Sequence, residues 1–502
     1  MNRKIILYTL GIVCRAEAGL MLLPAICGLI YGESEGLSYI FVAAISFLIG
    51  AVLQSLKPDN HLFYLKEGCL AVALAWIVMS CIGALPFVIT EEIPNYLNAL
   101  FETVSGFTTT GASILSDVEA LSHASLLWRS FTHWVGGMGV LVFVLAIVPL
   151  SGGSNINLMK AESPGPSVGK LMPHLKQTAM ALYAIYILMT ILEFIILAFG
   201  KMPVFDNLCI TFGTAGTGGF SIRNSGCADY TVFQQWVITI FMILFGVNFN
   251  AYYFLLAGDV KKAFANEEVR TYFSIIAGAI AIICLNTYRL YDTFADTLRN
   301  AAFQVGSIIT TTGYATTDFA LWPSLSQSVL VVLMFIGACA GSTGGGIKVS
   351  RIIIVFKSFL REVDSYIHPK SMKQIKMDGE PVDTDTVRAT NVYISTFILI
   401  FTISVFLVSI EGRDFATNFT AVTACINNIG PGLGDVGPMS NFGSLSGLTK
   451  FVLIVDMLAG RLELYPIIIF FDPVIWTDLA QDAAAKRRRK AIRAKRAARK
   501  GK

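Results

Sequence analysis

Residues 98–111 read NALFETVSGFTTTG and residues 300–313 read NAAFQVGSIITTTG. In both, Asn-Ala-x-Phe is followed by a Thr-Thr-Thr-Gly run at the same distance, so Asn98 aligns with Asn300 and Gly111 with Gly313. Two looser copies share the flanks: Phe205-Asp206-Asn207 ahead of Thr217-Gly218-Gly219-Phe220-Ser221, and Asp414 to Phe419 ahead of Asn427-Asn428-Ile429-Gly430. The turn glycines then fall at 111, 218, 313 and 430, separated by 107, 95 and 117 residues. Internal repetition of this kind governs the whole architecture. A single glycine turn is what a helix cap or a close-packing contact also produces. Four in register point further.

The surroundings of these turns are membrane-like. Of 502 residues, 54% are hydrophobic and only 14% charged, and the mean hydropathy is +0.64. That composition excludes an ordinary soluble domain, in which about a quarter of residues are charged. Ten apolar windows are long enough to span a bilayer: 5–30, 36–56, 68–89, 124–150, 178–199, 232–257, 271–290, 325–357, 389–410 and 446–471. The four turn segments, 94–114, 203–221, 293–317 and 414–434, are too polar for lipid and too apolar for solvated loops. The pattern predicts an all-α polytopic membrane protein with ten transmembrane helices and four re-entrant pore helices. Four pseudo-repeats of helix, pore loop and helix surround one central pore, preceded by two extra helices. The expected division is 1–65 for the two N-terminal helices, 66–150, 151–262, 263–360 and 361–475 for the four repeats, and 476–502 for a basic tail.

Basic residues in the connections orient the chain. Sixteen, among them Lys57, Lys66, Lys160, Lys261, Arg361 and Lys373, fall on one side and five on the other, so the first side and both termini are predicted to be cytoplasmic. The opposite face gathers acids such as Glu33, Asp117, Asp206 and Asp435, and the four turns open towards it. Eleven of the 38 basic residues lie in 486–502 without an acid among them. This tail reads as a solvated topology determinant, with anionic inner-leaflet lipid or a regulatory ring as alternative contacts. It has no aromatic residue to stack bases, so no nucleic-acid partner is expected. The N-terminal apolar run lacks a short cleavage site and reads as a retained helix. Nine scattered cysteines show no CxxC pair, and five dispersed histidines form no metal or catalytic cluster.

Non-helical backbone inside a bilayer is tolerated where it is buried in protein or lines a watery path. Four such turns around one axis predict a pore. A dehydrated K+ requires a ring of oxygens, and backbone carbonyls supply it without a full charge that would hold the ion too tightly. Glycine permits the unusual φ that aims those carbonyls inward. The candidate ligands are Thr109, Thr110 and Gly111 in the first turn, Thr217 and Gly218 in the second, Thr311, Thr312 and Gly313 in the third, and Asn428, Ile429 and Gly430 in the fourth. Thr311-Thr312-Gly313-Tyr314 is similar to the Thr-Val-Gly-Tyr start of the potassium-channel filter. The fourth turn departs from Thr-Thr-Gly, so its side chains are poorer ligands while its carbonyls remain, and Na+ permeation stays an alternative.

With these turns, His133-Trp134-Val135-Gly136-Gly137-Met138-Gly139, Gly341-Ser342-Thr343-Gly344-Gly345-Gly346-Ile347-Lys348 and Gly460-Arg461-Leu462-Glu463, the chain resembles the TrkH/KtrB/HKT superfamily of potassium transporters over about residues 5 to 475. The resemblance implies one pore per subunit, a homodimer, and gating by a cytosolic nucleotide-binding ring of the TrkA type, which binds NAD or ATP. It implies that Gly341, Gly344, Gly345, Gly346 and Lys348 belong to an intramembrane loop that occludes the pore beneath the filter. It also implies that Arg461, read as lying mid-helix in the last span, projects towards the permeation path, where a cation raises the barrier for K+. A structural ion pair with an acid on a neighbouring helix is the alternative for Arg461. In the plant branch, serine in the first turn goes with Na+ selectivity, and here that residue is Gly111.

Gly432-Leu433-Gly434-Asp435-Val436-Gly437 satisfies GxGxxG by letters, but no strand precedes it and Pro438 follows. The 341–348 stretch misses the P-loop pattern because Ile347 precedes the lysine. No cofactor and no enzymatic activity are expected in this chain, with K+ as cargo. The expected function is K+ uptake across the inner membrane, with a K+/H+ or K+/Na+ symporter using the same pore as the rival.

Overall fold

The computed structural model describes residues 3–58, 65–139, 175–369 and 373–477. The second half of the 124–150 window, the connection up to 174 and nearly all of the basic tail lie outside the described residues. The chain opens with α1 (Arg3–Leu20), α2 (Leu22–Tyr31) and α3 (Glu35–Ser55). A β-carbon on Gly11 would come within 2.8 Å of the Gly50 carbonyl, so small residues let α1 and α3 approach backbone to backbone. Next come α4 (Leu65–Gly83), α5 (Leu85–Ile89), α6 (Tyr96–Phe107) and α7 (His123–Gly137). They are followed by α8 (Leu175–Phe199), α9 (Val204–Ala215), α10 (Val232–Phe245), α11 (Phe249–Leu256) and α12 (Val260–Ala265). The third stretch holds α13 (Glu267–Thr287), α14 (Phe294–Ile309), α15 (Ser324–Ile336) and α16 (Val349–Ile367). A small antiparallel hairpin, β1 (Lys376–Met377) and β2 (Glu380–Pro381), leads to α17 (Thr384–Ser409), α18 (Phe415–Ile426), α19 (Gly447–Arg461) and α20 (Tyr465–Phe471).

Among the described residues, six helical runs are long and apolar enough to cross a membrane, or seven if α10 and α11 count as one. Three of the ten expected windows are not single straight helices. The 232–257 window is not one straight crossing: α10 and α11 meet at 93°, because Gly246 ends the first helix and the Asn248 side chain caps the second. The 325–357 window divides into α15 and α16 around an irregular loop, 337–348, entered through Gly337 at φ 73°. The 446–471 window divides at Leu462 to Leu464, where Glu463 and Leu464 take left-handed φ values of 55° and 70° and Pro466 restarts the helix.

The four turn segments each contain a short helix: α6, α9 and α18 have 12 residues and α14 has 16. At 1.5 Å per residue, 12 residues extend about 18 Å, little over half the hydrocarbon thickness. Their starts are written locally. Asn95 accepts from the Leu97 N–H at 2.9 Å, Thr293 caps α14 through the Asp296 N–H, and Asp414 caps α18 through the Thr417 N–H. Their far ends are buried: Thr108, Thr109 and Thr110, Thr310 to Thr312, and Asn427 and Asn428 are all shielded from solvent. So many buried hydroxyls and amides require partners inside the protein.

Candidate functional site

The four short helices end in the same way. In each, one N–H reaches back five residues at 2.8 Å: Thr110 to Ser105, Gly218 to Gly213, Thr312 to Ser307, and Ile429 to Ala424. The preceding residue is left-handed and non-glycine in every case, Thr109 at φ 55°, Thr217 at 52°, Thr311 at 59° and Asn428 at 56°. This is the bonding of a Schellman cap. Because those N–H groups are bonded back into their helices, the carbonyls of the turn face away from the helix.

Two residues after each left-handed residue stands a left-handed glycine: Gly111 at φ 78°, Gly219 at 77°, Gly313 at 88° and Gly430 at 99°. The residues between, Thr110, Gly218, Thr312 and Ile429, are not left-handed. Alternation of hand sends successive N–H groups to one side and carbonyls to the other. The register of the second turn is thereby corrected. Gly219, not Gly218, is the equivalent of Gly111, and Gly218 corresponds to Thr110. The Thr-Gly letters of 217–218 obscured this. The aromatic after the glycine, Phe220 beside Tyr314, was the available signal.

The turns meet in order. A β-carbon built on Gly111 would overlap the Gly218 carbonyl oxygen, one on Gly219 that of Thr312, and one on Gly313 that of Ile429; on Gly430 it would come within 2.7 Å of Thr110 O. These four approaches close a cycle of first to second to third to fourth to first. The same four glycines line one open cavity of about 230 Å³.

The ring is braced from behind. Arg129 and Glu102, both buried, form an ion pair at 2.8 Å. Glu102 also accepts from the Ser113 hydroxyl at 2.9 Å and the Ile114 N–H at 3.0 Å. Arg129 donates to Ser221 O at 3.1 Å and lies over the Phe220 ring at 4.1 Å, so it joins the exits of the first two turns. His133 sits between the same turns. Its Nδ1 is 2.8 Å from Gly106 O, and its Nε2 accepts the Phe220 N–H at 3.2 Å, a pairing that requires the neutral Nδ1–H tautomer. Ser307 donates to Tyr314 O at 2.6 Å, and the Tyr314 hydroxyl donates to Ile210 O at 3.2 Å. Asn428 donates to Thr110 Oγ1 and to Met457 O, both at 2.9 Å. Thr108 with Thr110, and Thr310 with Thr312, form matching hydroxyl pairs at 2.8 and 2.7 Å. Sequence reasoning quoted His133 and Tyr314 within motifs but assigned neither a role in the site, and it did not single out Glu102, because no spacing along one helix joins them.

On the helix-C-terminal side of the ring lies the 337–348 loop. The Gly345 N–H donates to Thr311 Oγ1 at 2.6 Å and the Gly346 N–H to Asn427 O at 3.1 Å. Lys348, left-handed at φ 84°, bonds through Nζ to Gly344 O, and Gly341 bonds through its carbonyl to the Phe249 N–H. Arg461 is the last residue of α19 and not mid-helix, since the chain breaks at once into Leu462 to Leu464. Its guanidinium donates to Thr343 O at 3.0 Å, Gly137 O at 2.8 Å, Gly136 O and Thr109 Oγ1 at 3.3 Å. It thus ties the loop to the first turn and to the end of α7. The nearby acid Glu463 pairs with Arg351 instead.

Glu33, between α2 and α3, is raised by burial, but the N–H groups of His123 and Ala124 and the His123 ring outweigh this and leave its carboxyl below the usual range. Asp206 pairs with Arg223 at 2.7 Å.

Fold and site together define a mostly helical polytopic membrane protein in which four helix-ending turns converge on one axis. The family model for TrkH, described as a cation transport protein, matches residues 39–477, and the chain belongs to this family. It is 35% identical over 487 residues to the Trk system potassium uptake protein TrkH of Salmonella typhimurium, covering 95% of this chain and 100% of the relative. The Trk system potassium uptake protein TrkG of Escherichia coli is 32% identical over 463 residues, 91% of this chain and 95% of the relative. Among solved structures, the potassium transporter TrkH from Vibrio parahaemolyticus superposes with a TM-score of 0.85 at 31% identity, over 95% of this chain and 100% of that one. The family is one of transporters, not enzymes.

Proposed function

We propose that this protein takes up K+ across the cytoplasmic membrane through a filter of backbone carbonyls contributed by the four turns. The observation that carries this reading is the closed cycle in which each left-handed glycine abuts the carbonyl of the next turn. Such a ring replaces the hydration shell of an alkali cation with oxygens that carry only partial charge. The ligands are Thr109, Thr110 and Gly111; Thr217, Gly218 and Gly219; Thr311, Thr312 and Gly313; and Asn428, Ile429 and Gly430. Support for potassium as cargo comes from the relatives, whose names state potassium uptake.

In this reading the chain is organised as two leading helices, four pseudo-repeats with the boundaries given above, and a cytoplasmic tail. Both termini lie in the cytoplasm and the cavity faces outward. The 337–348 loop is the gate, and Arg461 holds it shut through Thr343 while adding positive charge to the path. The protein works as a homodimer under a cytosolic TrkA-type ring, and nucleotide control resides in that partner.

A coupled reading, K+ with H+ or Na+, draws on Glu17, Glu193 and Asp456, carboxyls buried within the helices. One assay separates the two. Purified protein in liposomes is given rubidium or potassium, with Na+ and pH varied. Rubidium uptake that follows only the electrochemical gradient supports the filter reading. Steep, saturating dependence on a proton or sodium gradient supports the coupled one, and absence of any alkali-cation flux in folded protein defeats both.

A further inference from the structure

Two adjacent glutamates open α13, and they face different partners. Glu268 is 2% exposed. Its Oε1 accepts the Ala340 N–H at 2.7 Å and the Ser350 N–H at 3.0 Å, while Oε2 accepts from Asn248 Nδ2 at 3.2 Å. Ala340 lies within the 337–348 loop, and Ser350 is in the first turn of α16, where N–H groups have no partner inside the helix. Asn248 is the cap of α11 at the 93° bend. One carboxylate therefore gathers both limbs of the loop and the bent span beside it. Two backbone bonds reinforce the junction: Cys339 N–H to Gly246 O and Phe249 N–H to Gly341 O, each at 3.0 Å.

Glu267 turns the other way. Its backbone N–H donates to Asp378 Oδ1 at 2.6 Å, and its carboxylate pairs with Lys357 at 2.5 Å. Asp378 is the first of the two left-handed residues, Asp378 and Gly379, in the turn between β1 and β2, and Lys357 also donates to Lys376 O at 2.7 Å. The hairpin thus clamps the very backbone that presents Glu268 to the loop. Asp378 is exposed and the Glu267–Lys357 pair is partly so, so this outer clamp is modest, and the main anchorage is the buried set of bonds to Glu268.

We infer that Glu268 is a positioning residue of the transport path: it fixes the 337–348 loop beneath the ring, and the hairpin, through Asp378, fixes Glu268. The inference rests on the reading of that loop as the gate. Glu268→Ala leaves the Ala340 and Ser350 N–H groups without their acceptor and frees the loop. Glu268→Gln keeps one acceptor oxygen and is the milder variant, and Asp378→Ala removes only the outer clamp.

The test measures rubidium uptake into liposomes by the full-length protein without any regulatory partner, together with the rubidium-to-sodium ratio and the maleimide labelling of Cys339, read site by site by mass spectrometry. Glu268→Ala should raise basal uptake about tenfold, as expected for loss of charge-assisted bonds, with the ion ratio unchanged and Cys339 labelled faster. Glu268→Gln and Asp378→Ala should fall between it and the parent. Deletion of residues 344–346 is run alongside. If the deletion opens the pore and the Glu268 and Asp378 variants leave uptake and labelling at the parent level, the role of Glu268 is refuted and the gate reading stands. If the deletion also leaves uptake unchanged, the gate reading itself falls. Should Glu268→Ala not fold, the Gln and Asp378 variants carry the decision alone, and parent behaviour in both overturns the inference.

Discussion

Gly219 is the residue on which the ring geometry is most sharply exposed to experiment. A methyl group there meets two separate obstacles. The first is the backbone: φ is 77°, and for a residue with a β-carbon the left-handed region costs roughly 1–2 kcal/mol. The second is the neighbour, since the added carbon overlaps Thr312 O and lies 2.9 Å from Thr312 C and 3.0 Å from Gly313 C. Forcing an extra carbon into packed surroundings costs about 1–3 kcal/mol. Gly219→Ala should therefore carry about 2–5 kcal/mol of strain from the two sources together. The obstacle is main chain and cannot rotate away, so relief comes only by separating the second turn from the third.

Gly412 supplies the control, because its φ is 79° but nothing lies within 4 Å of a β-carbon there. Gly412→Ala should suffer the dihedral cost alone, about 1–2 kcal/mol. The assay compares thermal midpoints of the purified variants and their rubidium and sodium uptake in liposomes. Gly219→Ala should melt below Gly412→Ala and lose about tenfold in preference for rubidium over sodium, which corresponds to ~1.4 kcal/mol and is within the strain available to widen the ring. Gly111→Ser and Gly313→Ser carry the same overlap with a neighbouring carbonyl and should likewise admit Na+. A Gly219→Ala protein that keeps the parent's ion preference and melts no lower than Gly412→Ala would show that these turns are not the filter.

Arg461→Ala removes donors to Thr343 O, Gly137 O and Thr109 Oγ1 together with a positive charge, so K+ uptake should rise; unaltered uptake in well-folded protein ends its proposed barrier role. Deletion of residues 344–346 takes away the Thr311 and Asn427 contacts of the loop and should leave a leak measurable as uptake without a partner; tight closure argues against a gate there. Glu33 titrates below its ordinary value of 4.5 in the folded protein. Its stabilising effect is therefore complete above that pH and lost as pH falls through the lower folded-state value, and Glu33→Gln should flatten the acid limb of a plot of thermal midpoint against pH.

The short helices were legible because their boundaries are local chemistry. Asn95, Thr293 and Asp414 are side chains that cap helix starts, and runs of threonine, asparagine and glycine end them. The bend at residues 246–248 was not legible. The 232–257 window is apolar on both sides of it, and hydropathy alone does not distinguish one helix from two meeting at a sharp angle. The position of Arg461 at a helix end depended on the left-handed residues Glu463 and Leu464, which no propensity would select for that conformation. The pairing of Glu102 with Arg129, and of His133 with both Gly106 and Phe220, joins different helices across the ring. Such contacts exist only once the turns have been brought together, so no window of sequence contains them.

The fourth turn shows how a departure from the shared motif is absorbed. Where the first and third turns stabilise themselves with hydroxyl pairs, Thr108 with Thr110 and Thr310 with Thr312, the fourth has Asn427 and Ile429 and no such pair. Asn428 takes the left-handed conformation that asparagine tolerates better than most residues. Its amide then reaches outside its own turn, to Thr110 of the first turn and Met457 of α19. The loosest closure of the cycle is the approach of Gly430 to Thr110 O, and it is at this same junction that the side-chain bond crosses. Backbone geometry is therefore common to all four turns, while the means of holding it is shared by the first and third and differs in the fourth. A motif written in side chains will understate a repeat whose function resides in the main chain.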